Sequence, residues 1–184
     1  MGLSDDGFPV VNSELMRRAL EYASFYGLRV ISHCEDRSLS GEGVMHEGVV
    51  STRIGLAGIP DASEDIMVYR EIALARLTGR HVHIAHVSTA ASVDLIRRAK
   101  EDGIRVTAET APHYFTLDHR RVIGYDTLAK VNPPLRTPED VGAIKTGLRE
   151  GVIDAIATDH APHSSLEKDL EFDRAAFGMI GLQT

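Results

Sequence analysis

The chain has 184 residues, a length that predicts one domain. Twenty Lys and Arg against 27 Asp and Glu leave a net charge of −7, without the basic footprint of a nucleic-acid binder. The basic pairs Arg17-Arg18, Arg97-Arg98 and Arg120-Arg121 read as solvated helix faces. A hydrophobic content of 43% is enough for a packed core, and no apolar run approaches the roughly 18 residues that span a bilayer. No charged start followed by an apolar run marks a signal peptide. A single cysteine, Cys34, excludes an internal disulfide framework and fits a reducing compartment, so the expectation is a soluble, cytoplasmic protein. Nine histidines are left to be explained.

In chain order, a short apolar strand, a loop, a helix and a glycine recur. The opening Met1-Gly2-Leu3-Ser4 gives almost no strand before the turn at Asp5-Asp6-Gly7. Asn12 or Ser13 caps a helix through Leu15, Ala19, Leu20 and Ala23 that stops at Gly27. Leu28 to Ile31 is a strand leading into Ser32-His33-Cys34-Glu35-Asp36. Residues 34–61 show five glycines and no clear period, which predicts a functional loop or a hidden short helix. Ser63 opens a helix that ends at Gly79, and Val82 to His86 is a strand. Ala90 to Asp102 is a helix closed by Gly103, and Ile104 to Glu109 a strand. Leu128 to Val131 reads as a shorter strand. Thr137-Pro138 starts a helix that ends near Gly151, and Ile153 to Thr158 is the last clear strand. Strands alternating with helices at this spacing predict an α/β fold with a parallel sheet. A closed (β/α)8 barrel needs about 250 residues. With about five strands, the chain reads as a partial TIM barrel: a single partial domain over residues 1–184 with two unpaired sheet edges that invite association.

Groups able to bind metal or move protons fall where strands give way to loops. They are Asp6, His33, His86, Glu109 to His113, Asn132 and Asp159-His160. In a parallel α/β sheet these positions share the carboxyl edge, where such folds place their sites. Two His and two Asp converging from separate strands form a nitrogen and oxygen ligand set suited to zinc or a similar divalent ion. Alternation puts Val82, Ile84 and His86 on one face, which predicts that His86 follows an apolar row into the interior. His81 and His83 point the other way, against a metal reading of their H-x-H spacing. An acid at Asp159 is placed to take a proton from a metal-bound water. His46 and His119 read as ordinary surface groups, and Cys34 as an inert buried thiol. Glu35 and Asp36 are either loop caps or partners that orient His33.

Seven motifs, in order, resemble the middle of a type I (bacterial, long-chain) dihydroorotase of the amidohydrolase superfamily. They are Ser4-Asp5-Asp6-Gly7-Phe8-Pro9-Val10, His33-Cys34-Glu35-Asp36, His83-Ile84-Ala85-His86-Val87-Ser88-Thr89, Glu109-Thr110-Ala111-Pro112-His113-Tyr114, Lys130-Val131-Asn132-Pro133-Pro134-Leu135-Arg136, Thr158-Asp159-His160-Ala161-Pro162-His163 and Phe177-Gly178. The resemblance implies roughly strands four to eight of the barrel. It implies metal ligands at Asp6 (bridging two ions), His33, His86 and Asp159, with Asp159 also as general base and acid. Asn132, His163, Phe177 and Gly178 correspond to substrate-binding positions. The implied cofactor is zinc, one or two ions, and the implied reaction is interconversion of N-carbamoyl-L-aspartate and L-dihydroorotate in pyrimidine biosynthesis. The family's first-strand His-x-His pair and its arginine, together with its C-terminal part, have no counterpart here, which implies an incomplete and poorly active piece. A homo-oligomer or an aspartate carbamoyltransferase partner fits the same resemblance. Two alternatives stand beside it. A hydantoinase or allantoinase shares the reaction but generally bridges its metals with a carboxylated lysine, where this chain offers Asp5-Asp6-Gly7. A non-catalytic scaffold subunit of a carbamoyltransferase complex has no need of these ligands.

Overall fold

Local chemistry starts most of the helices. In the computed structural model, which describes residues 1–182, β1 (Gly2–Ser4) leads to α1 (Ser13–Phe25), whose first turn is capped by the Asn12 side chain accepting from Leu15 N. β2 (Arg29–Ser32) follows, and the aperiodic stretch after it folds into α2 (Arg37–Ser40), β3 (Met45–His46), α3 (Val49–Ile54) and β4 (Gly58–Ile59). β3 and β4 pair with each other in a small parallel sheet. The long α4 (Ala62–Thr78) and β5 (Val82–Ile84) come next, then α5 (Ala90–Glu101), capped by Thr89. β6 (Val106–Thr110) runs into α6 (Pro112–Thr116). α7 (Pro138–Arg149) begins with a reciprocal capping box between Thr137 and Asp140. β7 (Ala155–Ile156) and the one-turn α8 (Ser165–Lys168) complete the order.

The main sheet has five parallel strands in the order β1-β2-β5-β6-β7. Each pairs with the next one in the sheet, so the chain is an open portion of a (β/α) barrel. Register aligns Val30, Val82 and Val106 on one face. That face packs with Ile84 and Ala108 against Met16, Leu20, Val68, Val93, Ile96 and Ile144 of the surrounding helices. Burying each such large side chain contributes about 1.5–3 kcal/mol. The opposite face carries the register row Ile31, His83 and Thr107. A second core of Val44, Met45, Ala111, Tyr114, Val122, Val131, Leu135 and Phe172 binds the loops into one layer.

Two expectations about elements are corrected. Residues 128–131 form no strand: Asp126 caps a 3-10 turn over Thr127–Ala129, and the Asn132-Pro133 bond that follows is cis. Ala129 and Val131 of the run are buried in the loop core rather than in a sheet, and Leu128 is exposed. The row Val82 and Ile84 faces the helix layer, so strand parity does not carry His86 inward.

Candidate active site

The strand ends supply the site through unusual backbone. Among the described non-glycine residues only Asp6, His86, Tyr125 and Asp159 have positive φ, at 45°, 37°, 62° and 45°. Three of these are candidate site residues, each lying just after a strand. His86 reaches the site by this turn of the chain after β5. Left-handed backbone at non-glycine positions costs of the order of 1–3 kcal/mol and gathers at functional sites.

One cleft of about 840 Å³ takes in Asp6, His33, His86, Asn132, Asp159, His163 and Phe177. Gly178 lies behind its wall: a Cβ there would sit 2.6 Å from Ala161 O and 2.9 Å from the His163 ring. Glu109 also lines the cleft. It was visible in sequence only as one of several polar groups at the end of β6, and it also sits 3.1 Å from His83 Nε2.

The centre of the cleft is an imidazole pair. His33 Nδ1 lies 2.8 Å from His86 Nε2, and the other nitrogen of His33 lies 2.9 Å from Glu35 Oε2. Glu35 also accepts from Ser40 Oγ at 2.5 Å and from Asn132 Nδ2 at 3.0 Å. Burial alone would raise the Glu35 carboxyl, but the hydrogen bonds from His33, Ser40 and Asn132 outweigh it and hold the pKa at about 2. Glu35 is therefore a carboxylate at neutral pH, and His33 must donate to it from Nε2. In a singly protonated His33 ring, that leaves Nδ1 as an acceptor facing its partner, with Nε2 of His86 donating to it. Burial first, and then the neighbouring His33, push the pKa of His86 down to about 3. Its Nδ1 is buried without a hydrogen-bond partner. The choice left open between Glu35 and Asp36 is thus settled: Glu35 orients His33, and Asp36 caps α2 by accepting from Ser38 N at 2.9 Å.

Desolvation raises the pKa of Asp159, with Glu109 and Asp6 adding to the rise and His33 opposing it. His113 Nε2 approaches the Asp159 carboxylate at 3.8 Å. Burial lowers the pKa of His113 to about 4. Among the described residues no three His, Cys, Asp or Glu stand together as a ligand cluster. The structure brings the two imidazoles into contact, and Asp6, on the exposed turn after β1, lines the same cleft. His33 Nδ1, backed by a carboxylate on its far nitrogen, has the arrangement of a metal-ligating imidazole, and the donor chemistry of the cleft fits a divalent ion.

Several other histidines are placed by the structure. His81 Nε2 and His83 Nδ1 share the hydroxyl of Thr107 at 2.8 Å each and do not line the cleft. His46 is not a surface group: it is buried by the β3–β4 fold, stands 3.2 Å from Asp61 and packs against His119, with ring centroids 5.2 Å apart. His119 is half-buried as well. Cys34 is buried, and desolvation raises its thiol well above the usual range, as an inert thiol requires.

Outside the cleft lining, buried Arg136 donates to Ser88 Oγ at 3.0 Å and to Ile59 O at 3.1 Å, and it stands 3.0 Å from Asp61 and 3.6 Å from buried Glu64. Lys130, also buried, donates to Phe172 O at 2.8 Å and Asp173 O at 3.1 Å and lies 4.4 Å from the centroid of the Phe177 ring. These cations anchor the loops that bear Asn132 and Phe177. No pattern in the sequence singled them out for that task.

The chain is 63% identical over its full 184 residues to a dihydroorotase of Pelotomaculum thermopropionicum and 62% identical to one of Geobacter sp. strain M21. It spans about 43% of the length of each. Among solved structures, an L-hydantoinase (dihydropyrimidinase) from Arthrobacter aurescens superposes with a TM-score of 0.83 at 23% identity, over 100% of this chain and 42% of that one. A D-hydantoinase (dihydropyrimidinase) from Thermus sp. gives 0.80 at 24% identity, over 98% of this chain and 41% of that one. At such identities these two establish the barrel fold alone. A family model described as dihydro-orotase-like matches residues 1–92, the half that holds Asp6, His33 and His86. With its strand-end residues gathered in one cleft and that model matching half its length, the chain belongs to the dihydroorotase-like family.

Proposed function

We propose that the chain carries the central part of a dihydroorotase, a zinc-dependent cyclic-amide hydrolase that interconverts L-dihydroorotate and N-carbamoyl-L-aspartate in pyrimidine biosynthesis. The observation that carries this reading is the contact of His33 Nδ1 with His86 Nε2 at 2.8 Å, backed by Glu35. Relatives 60–63% identical that are named dihydroorotase support the choice of substrate. Asp6, His33, His86 and Asp159 would hold the zinc. Bound there, zinc supplies Lewis-acid polarisation of the amide carbonyl and acidifies water.

The chain's own residues do the rest. Asp159 accepts a proton from the attacking water at its carboxylate and returns it to the ring nitrogen as the C–N bond breaks. Its raised pKa makes it the stronger base for that task. Asn132 and His163 offer polar atoms to the substrate, and Phe177 with the backbone at Gly178 walls the ring. Residues 1–184 act as one partial catalytic barrel domain.

The test is an assay of the purified, zinc-loaded chain on L-dihydroorotate, hydantoin and allantoin, with Asp159→Asn as the control. Turnover of dihydroorotate that disappears in the control supports the reading, and turnover of hydantoin alone overturns it. Zinc retained without turnover, and released by His33→Ala or His86→Ala, supports the metal assignment by itself. No zinc bound, together with co-purification of a carbamoyltransferase, favours a scaffold.

A further inference from the structure

His113 is fully buried, and neither of its ring nitrogens has a hydrogen-bond partner. More than about 90% of buried polar groups are paired, so a doubly orphaned imidazole calls for a reason. The ring lies in the first turn of α6, directly after β6, with Pro112 ahead of it and the Tyr114 ring packed edge-on at 4.2 Å. This packing sets where the imidazole points. Its Nε2 faces Asp159 Oδ2 at 3.8 Å, about 1 Å beyond an N–H···O bond. Among the described residues no other cationic or imidazole side chain comes within 4.0 Å of that carboxylate, and no hydrogen bond is made to it. Hydrogen bonds of this kind are often long in a free enzyme and tighten around substrate.

We propose that His113 is the positioning residue of Asp159: it carries its proton on Nε2, aims that N–H at Oδ2, and so fixes the carboxylate rotamer that presents the other oxygen to the cleft. The inference rests on Asp159 being the base. His113 itself touches neither substrate nor water in this scheme. Its Nδ1 is likewise buried without a hydrogen-bond partner.

Two readouts test it on the full chain. The first is spectroscopic and needs no turnover: in histidine-labelled chain, long-range nitrogen–proton correlations report the tautomer of each ring. The expected result is His113 protonated on Nε2, with that N–H resonance lost in His113→Phe and shifted upfield in Asp159→Asn. The second is kinetic, with zinc and L-dihydroorotate. His113→Phe lowers kcat by about 10- to 100-fold at unchanged KM, and His113→Gln, which returns a donor, restores most of it. Protonation on Nδ1, or an Nε2–H resonance indifferent to Asp159→Asn, overturns the proposal even if the chain is active. An inactive wild type with the expected tautomer and shift supports the contact and separates it from the dihydroorotase reading, which the assay on the three cyclic amides tests. The Asp159→Asn arm serves where His113→Phe does not fold.

Discussion

His33 Nδ1 and His86 Nε2 stand 2.8 Å apart, and the direction of the hydrogen bond between them is set by a third residue. Because the Glu35 carboxylate takes the proton on His33 Nε2, His33 has only a lone pair to offer His86. A metal ion held at His33 Nδ1 would compete for that same lone pair. Were His86 Nε2 a ligand as well, its proton would have to reside on Nδ1, the nitrogen that is buried without a partner.

Glu35→Gln removes the charge that fixes this tautomer while keeping the volume. Zinc affinity, measured by competition with a chromogenic chelator, is expected to fall by about 10- to 100-fold. An affinity equal to wild type would dissociate Glu35 from metal binding.

Acid lowers stability through three groups acting in one direction. His86 and His113 have folded pKa values of about 3 and about 4 against an ordinary 6.5, so the unfolded chain takes up protons that the folded chain refuses. Their effect begins as pH falls below about 6.5. Glu35 has a folded pKa of about 2 against 4.5, and the stability it contributes is present above about 4.5 and lost as pH falls through 2. Urea midpoints of the metal-free chain should thus decline steadily from pH 7 to pH 4. The raised carboxyls of Glu64 and Asp159 act in the opposite direction, so the imidazole effect is read as a difference: the decline should be shallower in His113→Phe, and a slope equal to wild type would show that this imidazole is not held neutral by the fold.

The loops above the sheet were hidden from sequence because they carry no period. Helix starts at Asn12 and Thr137 were legible, because these caps act through local hydrogen bonds, a signal that needs no tertiary context. The convergence of Asp6, His33, His86 and Asp159 on one cleft was also legible, since parallel strands share a carboxyl edge. The route of His86 was not, because it depends on a single φ angle after β5 rather than on alternation. His46 was misread for a related reason. Its burial comes from β3 and β4, two residues each, too short to leave an alternating pattern.

Arg136→Met tests the buried anchor of the loop that bears Asn132. It strips buried Glu64 of its cation, and cutting one partner from a buried ion pair costs about 3–5 kcal/mol. Desolvation already raises the Glu64 pKa and Arg136 opposes that rise, so in the variant Glu64 should take up a proton at a higher pH than in wild type. Chemical denaturation measures the first effect, and infrared absorption of the protonated carboxyl the second. A loss below about 1 kcal/mol would show that Ser88 and its neighbours carry Glu64 without the arginine.

Gly178→Ala places a methyl group against Ala161 O and the His163 ring, at a φ of 141° that L-residues rarely adopt. The expected cost is about 1–3 kcal/mol, and the His163 resonances should move while those of His33 and His86 stay put. Unchanged His163 signals would separate Gly178 from the cleft wall.

Asp6, His86 and Asp159 sit after β1, β5 and β7, so the distorted backbone is spread across the whole sheet rather than concentrated at one loop. Glycine at any of the three would relax its turn, yet it would remove the side chain that the turn exists to aim. Selection for stability alone would convert this rim to glycine. Keeping acids and an imidazole there ties the firmness of the fold to its chemistry, and the most stable version of this sheet is one with an empty mouth.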